Sequence, residues 1–334
     1  MTNRQIVVAE LPKGELTPEN FRLTETAMPT PGEGEVLLRV ILMSIDAANR
    51  SWMQGATYRA AVNAGDAMPT YAICEVTASN SPKLAVGDLV SAEATWSDYV
   101  TASANKVTKL PTVPKLSNLM SVFGIAGKTA YHGLMSVGQP QPGETILVSA
   151  AAGSVGGYVG QIAKSLGCRV VGIAGGQEKC DWVMEQFGFD ACIDYRADGL
   201  FKALRAACPE GVDVYFDNVG GKILETALNL MNERGRIVCC GAISQYQSTS
   251  PTGPRNLPGA IVVKRLRMEG FIVMDFTQND AKAIRAMQGM MERGQLKVTE
   301  DIVEGLENAP SALIGLLNGD NKGKRMVRVS ADPS

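Results

Sequence analysis

Residues 145–176 read TILVSAAAGSVGGYVGQIAKSLGCRVVGIAGG. The apolar run Thr145–Ala150 predicts a strand, Ser154–Leu166 predicts a helix, and Arg169–Ala174 predicts a second strand. A glycine turn between a buried strand and a helix is typical of units that bind dinucleotides, because the unpaired N–H groups and dipole of the helix start favour a pyrophosphate. A tight turn that serves packing alone is the competing interpretation.

The turn itself is Ala151-Ala152-Gly153-Ser154-Val155-Gly156, so alanine replaces the first glycine of the usual GxGxxG pattern. Gly153 permits the tight turn, and Gly156 permits the helix to pack close to the strand. The pattern is weak in isolation. Its position between a strand and a helix, inside a longer alternation, favours cofactor binding.

Predicted strands and helices continue to alternate over the middle of the chain, and this order predicts a parallel sheet with right-handed crossovers. Apolar runs without alternation, such as ILVSAAA and RIVCCG, indicate strands covered on both faces. The further predicted strands are Ala191–Asp194, Asp213–Asn218, Arg236–Gly241 and Met268–Val273. The further predicted helices are Gln177–Phe187, Gly199–Ala207, Gly221–Met231 and Asp280–Arg293. The polar segment Ser244–Pro258 is predicted to be a mobile loop.

The two ends of the chain differ from the middle in their sequence pattern. Residues 1–122 contain short β-like runs such as Glu35–Leu42, with frequent Pro and Gly, and residues 296–334 return to short strands. We therefore predict a nucleotide-binding domain of residues 123–295, inserted into a compact β domain formed by residues 1–122 and 296–334.

The tip of the second strand of this unit indicates which dinucleotide binds. NAD sites usually carry an acidic residue there for the ribose hydroxyl groups, but this strand ends in Gly175-Gly176. The glycines leave room for a 2′-phosphate, and Lys179 on the next helical turn supplies a positive charge for it. NADPH is therefore favoured over NADH, with a solvated helix surface as the alternative role for Lys179.

Composition excludes several classes of protein. The 334 residues have a formal net charge of −2 and no long basic run, which argues against a nucleic-acid partner. No signal peptide or membrane-spanning stretch is recognisable, so we expect a cytoplasmic protein. The single histidine, His132, and seven cysteines without a CxxC pair make a structural or catalytic zinc site improbable, and we expect no metal.

Several motifs together resemble the zinc-independent medium-chain dehydrogenases/reductases, in the branch of leukotriene B4 dehydrogenases, prostaglandin reductases and alkenal double-bond reductases. The resemblance spans nearly the whole chain and rests on residues 150–183, with VDVYFDNVGGKILETAL, RIVCCGAISQY, GFIVMDF, DNKGKRMVRV, GKTAYHGL, WSDYV and DAANRSWM. It implies a Rossmann domain, with its doubly wound parallel sheet, inserted in a GroES-like, partly open β-barrel domain. It also implies NADPH as hydride donor, reduction of the C=C bond of α,β-unsaturated aldehydes or ketones, and a homodimer.

The resemblance also implies roles for individual residues. Lys179 and Tyr195 match residues that hold the 2′-phosphate, and Asn218 matches a contact near the ribose. The other positions that match cofactor contacts, beside the glycine turn and Gly175, are Gly241, Ala242, Ile243, Tyr246, Phe271, Ile272, Val273 and Asn321.

The chain departs from the family in two places. The family's DPxMR segment is DAANR here, with Ala47 and Asn49 in place of proline and methionine, and a glycine-rich turn appears as Pro69-Thr70-Tyr71-Ala72. Both departures lie in the predicted β domain. They therefore leave the substrate specificity undetermined but do not affect the prediction of the cofactor.

Conjugate reduction needs a donor for the negative charge that develops on the carbonyl oxygen. The candidates are Tyr246, Arg50, Tyr58 and a ribose hydroxyl of the cofactor. Alternative roles are stacking for Tyr246, a structural salt bridge for Arg50 and a pocket wall for Tyr58. Water is an alternative source of the proton for the α-carbon. A zinc-free quinone reductase and a non-catalytic NADPH-binding protein, such as a redox sensor or a crystallin-like protein, remain the rival functions.

Overall fold

A computed structural model describes residues 2–248, 250 and 252–333. Contacts divide the described chain into two compact units. The first contains the described residues up to Met120, Glu300–Asn321 and those from Arg325 onward. The second contains Ser121–Thr299 and Lys322–Lys324. The chain leaves the first unit at Ser121, returns to it at Glu300 and enters the second unit again only for Lys322–Lys324. The second unit is therefore mainly an insertion in sequence.

The part of the first unit up to Met120 consists mainly of antiparallel strands. In chain order its elements are β1 (Thr2–Val8), β2 (Phe21–Ala27), β3 (Glu35–Ser44), α1 (Ala48–Trp52), β4 (Pro69–Ser79), β5 (Leu89–Thr95), β6 (Tyr99–Ser103) and β7 (Thr108–Lys109). Strand β3 alternates partly and fully buried residues over its first half, and then every residue from Val40 to Ser44 is buried. This strand therefore forms the centre of the unit's core, with Trp96 fully buried in the same cluster.

The second unit is built on one sheet covered by helices. Its elements are α2 (Ile125–His132), β8 (Thr145–Ser149), α3 (Ser154–Ser165), β9 (Arg169–Ala174), α4 (Gln177–Phe187), β10 (Ala191–Asp194), α5 (Leu200–Ala207), β11 (Val212–Asp217), α6 (Gly221–Leu230), β12 (Met231–Cys239), α7 (Leu257–Lys264), β13 (Arg267–Gly270) and α8 (Asp280–Glu292). The strands lie in the order β10-β9-β8-β11-β12-β13, and every neighbouring pair is parallel. The predicted doubly wound parallel sheet is confirmed.

The chain then returns to the first unit with β14 (Glu300–Glu304), α9 (Ala309–Asn318) and β15 (Lys324–Arg328). Strands β14 and β15 extend the first unit's sheet, whose order is β14-β15-β3-β4-β5-β7, with β6 also paired to β3. The described strands follow an open path rather than a closed barrel, in agreement with the partly open β domain that the sequence predicts.

Among the described helices, α1, α2, α7 and α9 were not predicted. Helix α7 begins at the end of the predicted loop Ser244–Pro258 and continues beyond it to Lys264, and Asn256 caps its start by accepting a hydrogen bond from Gly259 N at 3.1 Å. Helix α9 lies between the predicted strands Val298–Val303 and Lys324–Val329, in a stretch without a predicted element, although it begins with proline in its first turn and ends at Gly319 in the left-handed region. Residues 249 and 251 of the predicted mobile loop lie outside the described residues.

In the part of the chain that the structure describes, the helices fall short of the length and apolar character that a bilayer span requires.

Candidate functional site

The glycine turn follows β8. On one side of β8 the sheet continues with β9 and β10, and on the other side with β11, β12 and β13. The neighbours of β8 are β9 and β11, and ligands of doubly wound sheets bind at the carboxyl ends of the strands at such a point. Ala150 has φ of +52°, and the Gly153 N–H donates to Ala150 O at 2.9 Å. A Cβ atom at Gly156 would lie 2.4 Å from Ala150 O, so only glycine fits there. The sequence therefore brings the start of α3 against the end of the strand.

The first turn of α3 differs from the starts of two neighbouring helices. No described side chain caps α3, where Ser154 and Val155 are half-buried. At α4, Asp194 Oδ1 accepts from Gly176 N at 2.7 Å, and at α6, Asp217 Oδ1 accepts from Gly220 N at 2.8 Å. Carboxylates already interact at two of these helix starts, whereas the N–H groups of α3 are left for an anionic ligand such as a pyrophosphate.

Side chains of the residues that follow β10 pack against the carboxyl end of β9. A Cβ atom at Gly175 would lie 3.0 Å from Tyr195 Cε1 and 3.1 Å from Arg196 Nε, so glycine lets both side chains pack against this tip. The Arg196 Cζ atom lies 5.8 Å from the centre of the Tyr195 ring. Lys179 is half-buried in the first turn of α4. The structure thus brings Gly175 and Tyr195 together.

Arg196 is a residue of this tip that the sequence analysis missed. The signal was available, since Tyr195 and Arg196 directly follow the predicted strand Ala191–Asp194. Asp194 Oδ1 accepts from Arg196 N at 2.9 Å as well as from Gly176 N, and Lys322 Nζ lies 2.7 Å from Glu178 Oε1. The acidic groups near this tip are therefore engaged by the protein itself, which favours a phosphate over a ribose hydroxyl as the ligand.

The segment after β12 places three candidate cofactor residues beside Tyr246. The Tyr246 hydroxyl accepts a hydrogen bond from Ala242 N at 3.3 Å, and a Cβ atom at Gly241 would lie 3.5 Å from it. Ile243 begins a short 3₁₀ turn that ends before Tyr246. Burial raises the pKa of the Tyr246 phenol, so it stays protonated and able to donate.

Phe271, Ile272 and Val273 follow β13, which ends at Gly270 rather than at the predicted Val273. The ring of Phe271 lies edge-on to Phe216 at 6.4 Å between ring centres. A Cβ atom at Gly133 would lie 2.5 Å from Phe271 Cζ, so a glycine in a neighbouring π-helical turn makes room for this ring. All three candidate residues are half-buried, as a ligand-contacting segment requires.

The other donor candidates lie in the first unit. Arg50 is buried, its Nη2 donates to Gly14 O at 2.9 Å, and its Nε and Nη1 have no partner among the described residues. Desolvation lowers the pKa of Arg50. Tyr58 is 54% exposed and lies edge-on to Trp52. The candidate cofactor residue Asn321 is half-buried between α9 and β15. The roles of these residues stay predictions.

The two departures from the family pattern meet in the first unit. Asn49 is buried, its Oδ1 accepts from Asp46 N at 2.9 Å, and its Nδ2 donates to Pro69 O at 2.9 Å. In the sequence these segments are two separate departures, about 20 positions apart. The structure shows that one hydrogen bond joins them.

His132 is stacked on Phe276, with 5.1 Å between ring centres, and its Nε2 lies 3.4 Å from Asp280 Oδ1. Burial lowers its pKa. Among the described residues, no three His, Cys, Asp or Glu side chains are grouped as metal ligands. The geometry therefore assigns His132 a packing role.

Comparisons with known proteins identify oxidoreductases as the relatives of this chain, and the relatives match nearly its full length. Residues 4–110 match a family model described as the N-terminal domain of oxidoreductase, and residues 154–289 match one described as zinc-binding dehydrogenase. The NADPH-dependent curcumin reductase of Escherichia coli (strain K12) is 43% identical over 99% of this chain and 98% of its own. The 2-alkenal reductase (NADP(+)-dependent) of Nicotiana tabacum is 37% identical over 99% of both chains. The crystal structure of CurA in complex with NADPH from Vibrio vulnificus is similar with a TM-score of 0.94 and 41% identity, covering 98% of this chain and 100% of that one.

Proposed function

Because the chain belongs to the zinc-independent medium-chain dehydrogenases/reductases, we propose that it reduces the C=C bond of α,β-unsaturated aldehydes or ketones. The protein is an NADPH-dependent oxidoreductase that acts on C=C bonds. The observation that carries the finer proposal is its similarity over the full length to a 2-alkenal reductase, since a 2-alkenal is an α,β-unsaturated aldehyde.

The described residues fit NADPH. We assign its pyrophosphate to the uncapped start of α3 at Gly153–Gly156, and its 2′-phosphate to Lys179, Tyr195 and Arg196 at the tip of β9. We further assign the second unit as the cofactor-binding domain and the first unit as the catalytic domain. The close packing at Gly156 and the basic group at this tip support these assignments.

When bound, NADPH supplies the hydride that adds to the β-carbon of the substrate. The protein then has to stabilise the negative charge on the carbonyl oxygen. We assign this hydrogen bond to Tyr246, because its hydroxyl lies beside Gly241 and Ala242 and its raised pKa keeps the proton in place. Arg50 and Tyr58 are the second choices.

A substrate panel tests the reaction. Purified protein would be mixed with NADPH and, in turn, a 2-alkenal, an aryl enone, a prostaglandin-like enone and a quinone. We expect consumption of NADPH with the first three substrates and saturated carbonyl products by mass spectrometry. Deuterium from C4-labelled NADPH should appear at the β-carbon. Turnover of the quinone alone would contradict the proposal, and tight NADPH binding without any turnover would favour a non-catalytic protein.

Replacing Tyr246 with phenylalanine tests the donor. We expect kcat for an enone to fall by about 10- to 100-fold, since loss of one donor to a developing oxyanion costs on this scale or more. The dissociation constant of NADPH should change less than kcat, because phenylalanine keeps the ring at this candidate cofactor contact. Because burial raises the pKa of this phenol, wild-type kcat should show no loss from its ionisation up to its ordinary pKa of 10. Tyr99→Phe, in the first unit, serves as the control, and equal kcat values for Tyr246→Phe and wild type would move the role to another donor.

We also propose that the protein works as a homodimer in the cytoplasm. Among the described strands, β13 is an edge of the sheet, and the adjacent apolar helix α7 has no buried residue, with Val262 and Val263 73% and 70% exposed. An unpaired edge next to an exposed apolar helix is a surface that a second copy would cover. Cell fractionation tests the location.

Replacing Val262 and Val263 together with lysine tests the dimer. We expect the double variant to sediment as a monomer at concentrations where the wild type is a dimer, because two charges cannot be buried unpaired in an apolar interface. The matched control is Val86→Lys, since Val86 is 67% exposed in the first unit. An unchanged dimer in the double variant would place the interface elsewhere, and a monomeric wild type would refute the dimer.

A further inference from the structure

Asp217, the last residue of β11, is a buried acid in the central part of the parallel sheet. It is 3% exposed, and no described cation forms an ion pair with it. Burial raises the pKa of its carboxyl group, against the effect of the hydrogen bonds that it accepts. A carboxyl group in this setting is costly unless its oxygens are well satisfied. Its presence therefore calls for a reason other than charge pairing.

Four donors converge on one oxygen of this side chain. Asp217 Oδ1 accepts from Tyr215 OH at 2.7 Å, Gly220 N at 2.8 Å, Val219 N at 3.0 Å and Ser149 Oγ at 3.3 Å. Two of these donors belong to the turn that leads into α6, where Gly220 has φ of +69°. The carboxyl group thus holds a turn that is shaped by left-handed glycines.

The same turn is tied to the end of β8. The Asn218 N–H donates to Ser149 Oγ at 2.9 Å, and Asn218 Nδ2 donates to Ser149 O at 2.8 Å. Ser149 is the last residue of β8, and only Ala150 separates it from the glycine turn. Asp217 and Ser149 therefore fix Asn218 between the ends of β8 and β11, the two central strands of the sheet.

The turn also holds the segment after β12. The main-chain oxygen of Asp217 accepts from Gly241 N at 3.1 Å, and that of Asn218 accepts from Ile243 N at 3.3 Å. The main-chain oxygen of Val219 accepts from Ser244 Oγ at 2.6 Å. A shift of the turn would accordingly move the segment that carries Gly241, Ala242 and Tyr246.

We propose that Asp217 is a positioning residue for hydride transfer, which acts through Asn218 on one side and the 241–246 segment on the other. It touches neither cofactor nor substrate in this proposal. The inference rests on the proposed cofactor site, since it assigns the function of Asp217 to the groups that line that site. Its effect is therefore expected on the cofactor and on the rate of reduction, in addition to any effect on stability.

The test compares Asp217→Ala with Asp213→Ala. Asp213 lies near the opposite end of the same strand, where its carboxyl accepts from Thr145 N at 2.9 Å and Asn232 Nδ2 at 2.7 Å. Both variants lose hydrogen bonds of a half-buried or buried carboxyl, but only Asp217 is linked to the candidate site. Melting temperature, the Kd of NADPH, kcat and the deuterium isotope effect on kcat with C4-labelled NADPH would be measured for both.

We expect Asp217→Ala to lower kcat/KM by about 50-fold or more, because small displacements of reacting groups have effects on this scale. Its isotope effect should rise as hydride transfer becomes rate-limiting. Asp217→Asn, which keeps an acceptor oxygen for the turn, should recover most of the loss. Asp213→Ala should stay within about twofold of wild type in kcat/KM, as expected for a change distant from the site.

Equal kinetic losses for Asp217→Ala and Asp213→Ala at equal melting temperature would overturn the proposal. If Asp217→Ala does not fold, Ser149→Ala takes its place, and wild-type kinetics in that variant would equally overturn it. If the wild type reduces no enone, the proposed reaction fails, but the Kd of NADPH still tests Asp217. An unchanged Kd in every Asp217 and Ser149 variant would then refute the positioning role.

Discussion

Replacement of Gly156 with alanine is expected to raise the Kd of NADPH by about 10- to 100-fold, because it displaces the N–H groups assigned to the pyrophosphate and a hydrogen bond to a charged group contributes about 1.5–3 kcal/mol. The new Cβ would lie 2.4 Å from Ala150 O, 2.9 Å from Ala150 C and 3.0 Å from Ala151 Cα. All three atoms belong to the main chain, so no side-chain rotation relieves the contact. Helix α3 has to move away from the strand end, and its N–H groups move with it.

Isothermal titration of NADPH into the purified variant measures this effect. The matched control is Gly160→Ala, one turn further along α3, where the new Cβ would meet the ring of Phe189. We expect this control to lose stability through overpacking, typically about 1–3 kcal/mol, while its NADPH affinity stays close to wild type. If both variants lost affinity in proportion to their loss of stability, the packing of the turn would be important for folding alone.

Replacement of Lys179 with alanine is expected to raise the KM for NADPH by about 10- to 100-fold and to leave the KM for NADH unchanged, since a hydrogen bond to a charged group contributes about 1.5–3 kcal/mol. The two cofactors differ only in the 2′-phosphate, which we assign to the tip of β9. Lys179 lies half-buried in the first turn of α4, beside a tip where Gly175, Tyr195 and Arg196 pack together.

Steady-state kinetics with each cofactor measures the discrimination. Lys222→Ala is the control, because Lys222 is an exposed lysine in the first turn of α6. It should leave both KM values unchanged. If Lys179→Ala weakened NADPH and NADH to the same degree, the assignment of the 2′-phosphate would be wrong. Arg196→Ala should show the same selectivity as Lys179→Ala in a smaller measure, since Arg196 is exposed and also packs on Tyr195.

Much of the fold was predictable because it depends on local patterns. Continuous apolar runs such as Thr145–Ser149 are fully buried in the parallel sheet, and Gly153 and Gly156 lie where the turn requires them. Helix α9 was missed, although Pro310 and Gly319 mark its two ends, because its residues lie between the two predicted strands Val298–Val303 and Lys324–Val329 and were left unassigned.

The candidate site was predictable only in part. The turn and Lys179 follow from spacing within one βαβ unit. The roles of Asp194 and Asp217 do not, because they depend on which strand ends lie next to each other. Ser149 and Asp217, for example, are separated by 68 positions and meet only when β8 pairs with β11. A single sequence carries no signal for a contact of this kind.

The hydrogen bond from Asn49 Nδ2 to Pro69 O has a consequence for the way this protein and its relatives diverge. A methionine at position 49, as in the DPxMR pattern, would have no side-chain N–H for the buried Pro69 carbonyl, and an unsatisfied buried acceptor costs about 1–3 kcal/mol. The two segments are therefore epistatic and are expected to be inherited as one block. A chimaera that receives only one segment from a relative should be less stable than either parent, whereas exchange of both together should restore the parental stability.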